Sequence, residues 1–80
     1  MNAMFKRCHT QVMEMARAGQ FSEALAQWDG TDRTAGPLGV SEMAFFLQER
    51  GILKQLTNDL HGALVDLTDA TEEFFAIRRV

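Results

Sequence analysis

The sequence is poor in residues that define several protein classes: it has one cysteine, one proline and no tyrosine. A single cysteine cannot form a disulfide within the chain, so the disulfide framework of a small secreted domain is excluded. β-Branched residues do not form the alternating runs that are typical of strands. Long stretches of alanine, leucine, methionine, glutamate and glutamine favour helices instead.

Long apolar runs and clusters of basic residues are also missing. No run approaches the roughly 20 apolar residues of a membrane span, and the N-terminus lacks the apolar core of a signal peptide. Acidic residues outnumber lysine and arginine by eleven to eight, which gives a net charge of −3. Nucleic acids and anionic membranes attract basic surfaces, so we expect neither as a partner. A cytoplasmic protein is the resulting prediction.

Residues suited to catalysis or metal binding are few and far apart. Cys8 and His9 are neighbours, but adjacent helical side chains point about 100° apart and do not converge. The only other histidine is His61, and no group of residues has metal-ligand spacing. The segment GPLGVSE at 36–42 lacks the lysine and the preceding strand of a phosphate-binding loop. We therefore expect no enzyme activity, no cofactor and no metal.

Apolar spacing and turn signals predict a single all-α domain over residues 1–80. The strongest helical signal is at 58–77, where apolar residues recur every three or four positions. Gly19 and the Asn58–Asp59 pair indicate tight turns, and Asp29–Gly30 indicates the end of the second helix. The predicted helices cover about 4–18, 21–29, 41–57 and 60–78.

The connection between the second and third helices contrasts with the helices beside it. Residues 29–39 hold three glycines and the only proline, so we expect a loop with no helix in it. Ser22 and Ser41 are the expected N-caps of the second and third helices. Gly51 lies inside the third helix, where glycine costs up to about 1 kcal/mol relative to alanine. We expect a second helix to approach closely at Gly51.

Apolar stripes predict the core. Cys8 falls on the stripe of the first helix and should be buried. On the fourth helix the expected stripe comprises Leu60, Ala63, Leu64, Leu67, Ala70, Phe74 and Ile77. Val65 and Phe75 lie outside it, so we expect them on an uncovered end face where a second chain binds. The solvent side should carry the acidic residues Asp66, Asp69, Glu72 and Glu73, with docking of a basic partner as the alternative.

Two segments of the chain repeat one pattern. AGQFSEALAQW at 18–28 aligns with TNDLHGALVDL at 57–67, and each opens the second helix of a pair. The aligned positions are Phe21 with Leu60, Ala24 with Ala63, Leu25 with Leu64, and Trp28 with Leu67. The pattern predicts two antiparallel helical hairpins, at about 4–29 and 41–78, joined by the 29–39 loop. A plain four-helix bundle is the alternative.

The hairpins resemble tetratricopeptide repeats. G-x-F-x-E-A-L at 19–25 is similar to the turn and second-helix start of that family. In the second unit the family's characteristic small and large positions fall on Gly51, Ala63, Leu67 and Ala70. The first unit matches less closely, since Val12 stands where a small residue is expected. The turns at Gly19 and Asn58 are 39 residues apart, which exceeds the family period of about 34.

The resemblance implies a concave groove that receives an extended or helical peptide. Matching by position assigns to it Lys6, His9, Met13 and Ala16 from the first unit, and Phe45, Gln48, Ile52 and Gln55 from the second. The implied function is protein–protein interaction, as in small secretion chaperones and adaptors. Self-association, as a structural module or a fragment of a longer repeat array, is the alternative. A small-molecule site would need a pocket of roughly 300 Å³ or more, which an 80-residue core can hardly contain.

Overall fold

The computed structural model describes residues 2–78, and all regular structure within that range is helical. The helices are α1 (Ala3–Arg17), α2 (Phe21–Asp29), α3 (Thr31–Thr34), α4 (Val40–Leu56) and α5 (Leu60–Arg78). The chain divides into two compact units, residues 1–37 and residues 38–80. In the first unit α1 packs against α2, and in the second α4 packs against α5. The all-α fold and the two hairpins are therefore confirmed, with helix ends within one residue of the prediction.

The predicted loop at 29–39 is partly wrong, because it contains the short helix α3. Gly30 adopts right-handed helical angles (φ −88°, ψ −1°) and is the single residue between α2 and α3. The Thr31 hydroxyl donates to the Gln27 carbonyl at 3.2 Å, and this side chain is almost fully buried. Glycine and threonine disfavour a helix intrinsically, but burial of Thr31 overrides that preference.

Hairpin 1, formed by α1 and α2, closes around aromatic side chains. The Phe5 and Trp28 rings are fully buried, with centroids 5.3 Å apart, and His9 meets the Trp28 ring edge-on at 5.6 Å. Val12 and Ala24 are also fully buried. Cys8 is buried among the same α1 residues, as predicted.

The ends of the first helices show which capping predictions hold. Asn2 caps α1: its Oδ1 accepts from the Phe5 N–H at 3.1 Å, while its Nδ2 donates to the Ala35 carbonyl at 2.8 Å. Gly19 has a φ of +80°, which provides the predicted turn. The N-cap of α2 is Gln20, without a side-chain capping bond, so the predicted cap at Ser22 is wrong.

In hairpin 2, formed by α4 and α5, carboxylates form hydrogen bonds with backbone N–H groups at the start of each helix. Helix α4 starts at Val40, one residue before the predicted cap Ser41, and the Glu42 carboxylate accepts from the Gly39 N–H at 3.2 Å. The predicted turn at 58–59 is confirmed: Asn58 has a φ of +67°, and the Asp59 carboxylate accepts from the Gly62 N–H at 3.0 Å. These bonds satisfy N–H groups at the start of each helix.

Small residues set the separation of α4 and α5. A Cβ atom added to Gly51 would stand 2.8 Å from Leu67 Cγ and 3.4 Å from the Ala63 carbonyl oxygen. The first distance is shorter than van der Waals contact, so any side chain at position 51 would force Leu67 to shift. The close approach predicted at Gly51 is confirmed.

Helix α5 is rotated relative to the predicted stripe. Ala63 and Ala70 are buried as expected, but Leu60 and Leu64 are 61% and 65% exposed. Phe74 is also exposed, at 41%, whereas Asp66 is only 2% exposed. The prediction that Leu60, Leu64 and Phe74 belong to the core is wrong, as is the placement of Asp66 on the solvent side.

Candidate protein-interaction surface on the second hairpin

A buried ionic cluster fixes the rotation of α5. Arg50 binds the Asp66 carboxylate with two hydrogen bonds, from Nε to Oδ2 at 2.8 Å and from Nη2 to Oδ1 at 2.9 Å. Lys54 Nζ lies 3.0 Å from the same Oδ2. The Arg50 guanidinium also stacks over the Phe46 ring at 5.1 Å. Two cations of α4 therefore hold one carboxylate of α5 in a fixed place.

The pKa of Asp66 reflects two opposing effects. Burial raises it, because a charged carboxylate loses hydration, but the hydrogen bonds and positive charges of Arg50 and Lys54 together lower it further. The pKa of Asp66 is thus below its usual value, and the carboxylate is ionised at neutral pH. Removing it would leave two cations close together without their shared partner.

Because Asp66 faces α4, the apolar line of α5 lies beside the contact with α4 and not within it. Five residues at alternating spacings of four and three form this line, which we call the α5 seam: Leu60, Leu64, Leu67, Thr71 and Phe74. Leu67 is half-buried beside Gly51, and the other four are exposed. The Thr71 hydroxyl donates to the Leu67 carbonyl at 2.9 Å, so its hydrogen is used within the helix. The seam is therefore an apolar surface along the length of α5.

Residues beside the seam extend this apolar surface. Phe75 is 55% exposed and lies one turn after Thr71, and Leu56 is exposed at the end of α4. Val65 is 45% exposed on another part of α5. Val65 and Phe75 are thus both accessible, and their assignment to a contact with a second chain stays a prediction.

The partner-binding residues predicted on α4 share one helix face. Their spacing of three, four and three residues brings together Phe45, Gln48, Ile52 and Gln55, which we call the α4 outer face. Ile52 is 38% exposed and Gln55 is exposed, while Phe45 and Gln48 are half-buried. This face presents one accessible aliphatic side chain between two amides. Its role in binding a peptide stays a prediction.

The residues predicted on α1 also share a face, within the first unit. Lys6 is exposed, and Met13 and Ala16 are half-buried. His9 is half-buried with its ring against Trp28, which gives it a packing role in hairpin 1. A groove that combines this α1 face with the α4 outer face stays a prediction.

Hairpin 1 also contains an open depression of about 440 Å³. Its lining comprises Gln11, Glu14, Met15, Gln20 and Gln27. Gln27 Nε2 donates to Gln11 Oε1 at 2.9 Å across part of it. Most of these side chains are exposed and flexible, so they do not form the fixed set of polar groups that orients a small ligand.

Two further properties bear on the kind of site. Within residues 2–78, no three histidine, cysteine, aspartate or glutamate side chains come together in a way that would hold a metal ion. None of the helices in the described part of the chain combines the length and the apolar character needed to cross a bilayer.

Spacing alone placed the seam residues Leu60, Leu64 and Phe74 in the core, so sequence reasoning missed their exposure. One signal for it was present. Asp66 lies between the small residues Ala63 and Ala70 on a single helix face, and Arg50 and Lys54 are the only cations of the preceding helix. Pairing that aspartate with those cations would have predicted the observed rotation.

Comparison with known proteins gives no family for this chain. No protein-family model matches it. No curated protein matches it, and no solved structure does. The all-helical fold with two hairpins is therefore defined by its own geometry, and the tetratricopeptide reading stays a hypothesis.

Proposed function

We propose that this chain is a non-enzymatic protein-interaction module whose second hairpin binds an apolar segment of a protein partner. The observation that carries the proposal is the uneven distribution of exposed large apolar side chains among the described residues. Among residues 2–37 only Met4 is of this kind. The second unit has eight: Val40, Ile52, Leu56, Leu60, Leu64, Val65, Phe74 and Phe75.

The energetics favour a partner for this surface. Single exposed apolar residues are common on monomers. Eight among the described residues of one unit expose a large apolar area to water, which is unfavourable in free energy. Covering apolar surface contributes about 25 cal/mol for each Å² removed from water. A partner that covers several of these side chains gains binding energy from each of them, and it does not need charges opposite to those of this chain.

The finer hypothesis is that hairpin 2 acts as a tetratricopeptide-like unit. The contact of Gly51 with Leu67 and Ala63 has the small-against-large character of such a helix crossing. On that basis the α4 outer face binds an extended or helical peptide. Ile52 packs on apolar side chains of the peptide, and the amides of Gln48 and Gln55 hydrogen-bond to its polar groups.

In hairpin 1 the corresponding face of α1 carries Lys6, His9 and Met13 and is the equivalent binding face of that unit. A small chaperone or adaptor that shields an aggregation-prone helix of its client is the narrower form of this hypothesis. It rests on the resemblance alone, whereas binding of an apolar segment rests on the exposed side chains of hairpin 2.

Site-specific cross-linking tests the proposal. A photoreactive amino acid at Gln48 or Gln55 should cross-link the chain to one dominant protein in the source cells. Ile52→Lys should reduce recovery of that protein about tenfold or more, since it places a charge in an apolar contact. Ala76→Lys is the matched control, because it adds the same charge at an exposed position of α5. Equal recovery by the wild type and Ile52→Lys would contradict binding at the α4 outer face.

A further inference from the structure

We infer that the α5 seam is the contact surface of a homodimer, in which the α5 helices of two copies pack side by side and antiparallel. The inference goes beyond the proposed function, because it concerns α5 and a second copy of this chain. The proposed function concerns a different protein, and its finer form and its test concern the α4 outer face. Where the dimer covers Leu60, Leu64, Phe74 and Phe75, that protein binds to exposed apolar side chains outside the seam, such as Ile52.

The seam has the residue spacing of a helix–helix contact. Positions 60, 64, 67, 71 and 74 alternate steps of four and three residues, which is the heptad pattern of side chains that interlock between two helices. The flanking residues His61, Thr68 and Phe75 on one side, and the buried Ala63 and Ala70 on the other, include no aspartate, glutamate, lysine or arginine. An uncharged seam does not select an oppositely charged partner, and it does not repel its own copy.

The side chains of the seam are complementary under a two-fold axis. Position 69 is midway between Leu64 and Phe74, and also midway between Leu67 and Thr71. An antiparallel pair centred there puts each Leu64 against Phe74 of the second copy, and each Leu67 against Thr71. Parallel pairing would instead put Phe74 against Phe74 and leave two small threonines facing each other. The antiparallel arrangement therefore fills the contact more evenly.

Charges on α5 favour the same orientation. Glu72 and Glu73 lie in the second half of the helix, and Asp69 is its middle residue, which stands at the same level in either orientation. In the first half the only acidic residue is Asp66, which Arg50 and Lys54 already neutralise. A parallel pair would bring the two acidic halves together, whereas an antiparallel pair separates them and also opposes the helix dipoles.

The area of the seam is sufficient for a dimer. The exposed fractions of Leu60, Leu64, Phe74 and Phe75 lie between 41% and 65%. With about 200 Å² for each fully exposed large side chain, they leave roughly 450 Å² per chain open to water. Two copies that cover these side chains bury about 900 Å², an area typical of a weak dimer contact, since stable specific interfaces bury roughly 1,200 Å² or more.

A charge placed in the seam tests for the dimer. The wild type should sediment as a dimer, and Leu64→Glu should weaken dimerisation about 100-fold and give a monomer. Ala76→Glu adds the same charge to an exposed position away from the seam and should remain dimeric. Circular dichroism should show equal helix content in all three proteins, because both replaced residues are exposed. A monomeric wild type, or a Leu64→Glu variant that is still dimeric, would overturn the inference.

Engineered disulfides test the orientation in a Cys8→Ala background, which removes the native thiol. Chains with Leu64→Cys are mixed with chains with Phe74→Cys and oxidised. The mixed 64–74 disulfide should predominate, and predominance of 64–64 or 74–74 disulfides would overturn the antiparallel arrangement.

The dimer and the proposed function can be contradicted independently of each other. If the wild type is a monomer and Ile52→Lys reduces partner recovery, only the dimer is contradicted. If the wild type is a dimer and Ile52→Lys leaves partner recovery unchanged, only the proposed function is contradicted.

Discussion

The two hairpins of this chain solve the same packing problem in different ways. Hairpin 1 packs its helices through large rings, and Phe5 and Trp28 are fully buried with their ring centroids 5.3 Å apart. Hairpin 2 brings its helices close together at Gly51, and it joins them with the ionic cluster around Asp66. The first design encloses its large apolar side chains, and the second leaves many of them at the surface.

The separation of the helices explains this difference. Space between two helices is set by the side chains at the crossing, and glycine and alanine leave little of it. In hairpin 2, Leu67 takes the space beside Gly51, so Leu60 and Leu64 remain outside. A close crossing therefore leaves part of an apolar helix exposed without any change in composition.

The largest expected effect comes from deleting one ring in each hairpin. Phe5→Ala should lower the free energy of unfolding of hairpin 1 by about 4 kcal/mol, because it removes a fully buried ring and leaves a cavity. Phe75→Ala in hairpin 2 should cost under about 1 kcal/mol in dilute protein, because that ring is largely exposed. Urea titration followed by circular dichroism measures both, and Trp28 fluorescence reports on hairpin 1 alone. Equal losses would contradict the contrast between the hairpins.

Glycine replacements should have opposite signs in the two units. Gly51→Ala should destabilise the protein by about 2 kcal/mol, because the added methyl group meets Leu67 and the α5 backbone. Gly30→Ala should be neutral or stabilise by up to about 1 kcal/mol, since a Cβ there meets only ordinary contacts and φ is negative.

The glycine effect can be assigned by a double-mutant cycle. Leu67→Ala should relieve part of the loss in Gly51→Ala, because the two side chains compete for the same space. If thermal unfolding shows that the two substitutions lower stability additively, the two positions do not interact. That result would contradict the close crossing as a cause of the exposed seam.

Removing the charge of Asp66 should cost somewhat less. Asp66→Asn should lower stability by about 1.5 kcal/mol, because it weakens the bonds from Arg50 and Lys54, whose partial exposure to water limits the loss. Asp69→Asn is the control on an exposed position of the same helix and should have little effect. Similar losses in denaturant titrations of the two variants would contradict a specific role for the cluster.

The same carboxylate predicts a pH dependence. The folded-state pKa of Asp66 is below the usual value of about 3.9, so its stabilising contribution is complete above that pH and is lost as the pH falls through the folded-state pKa. Stability measured from pH 7 down to pH 2 should fall more steeply in the wild type than in Asp66→Asn. Parallel curves below pH 4 would exclude this contribution.

The smallest predicted effect concerns the cap of α1. Asn2→Ala should lower the stability of hairpin 1 by about 1 kcal/mol, because it removes the bonds to the Phe5 N–H and the Ala35 carbonyl. Gln20→Ala, at the N-cap of α2, should change little, since no side-chain capping bond exists there. Trp28 fluorescence in urea follows both variants, and an equal loss in the two would rule out the capping role of Asn2.

Local residues were sufficient to predict most of the architecture. Helix ends followed from Gly19, Asn58 and the apolar spacing, and the approach of α5 followed from Gly51 inside an otherwise regular helix. The short helix α3 was not predictable in this way, because glycine and threonine disfavour it locally and only burial of Thr31 stabilises it. For the α4 outer face, the spacing puts four side chains on one side of the helix, and their role in binding stays a prediction.

The sequence by itself determined that α5 is an amphipathic helix, but only the tertiary structure decided which side is buried. Two apolar lines run along α5, one through Ala63 and Ala70 and one through Leu60 and Leu64. Both satisfy the helical period, so spacing cannot choose between them. The choice depends on Asp66, which adjoins the first line and meets two cations 12 and 16 residues earlier in the chain. A buried carboxylate is stable only where cations neutralise it, as Arg50 and Lys54 do for Asp66. Because Asp66 must face them, the line through Leu60 and Leu64 lies outside the core as the seam.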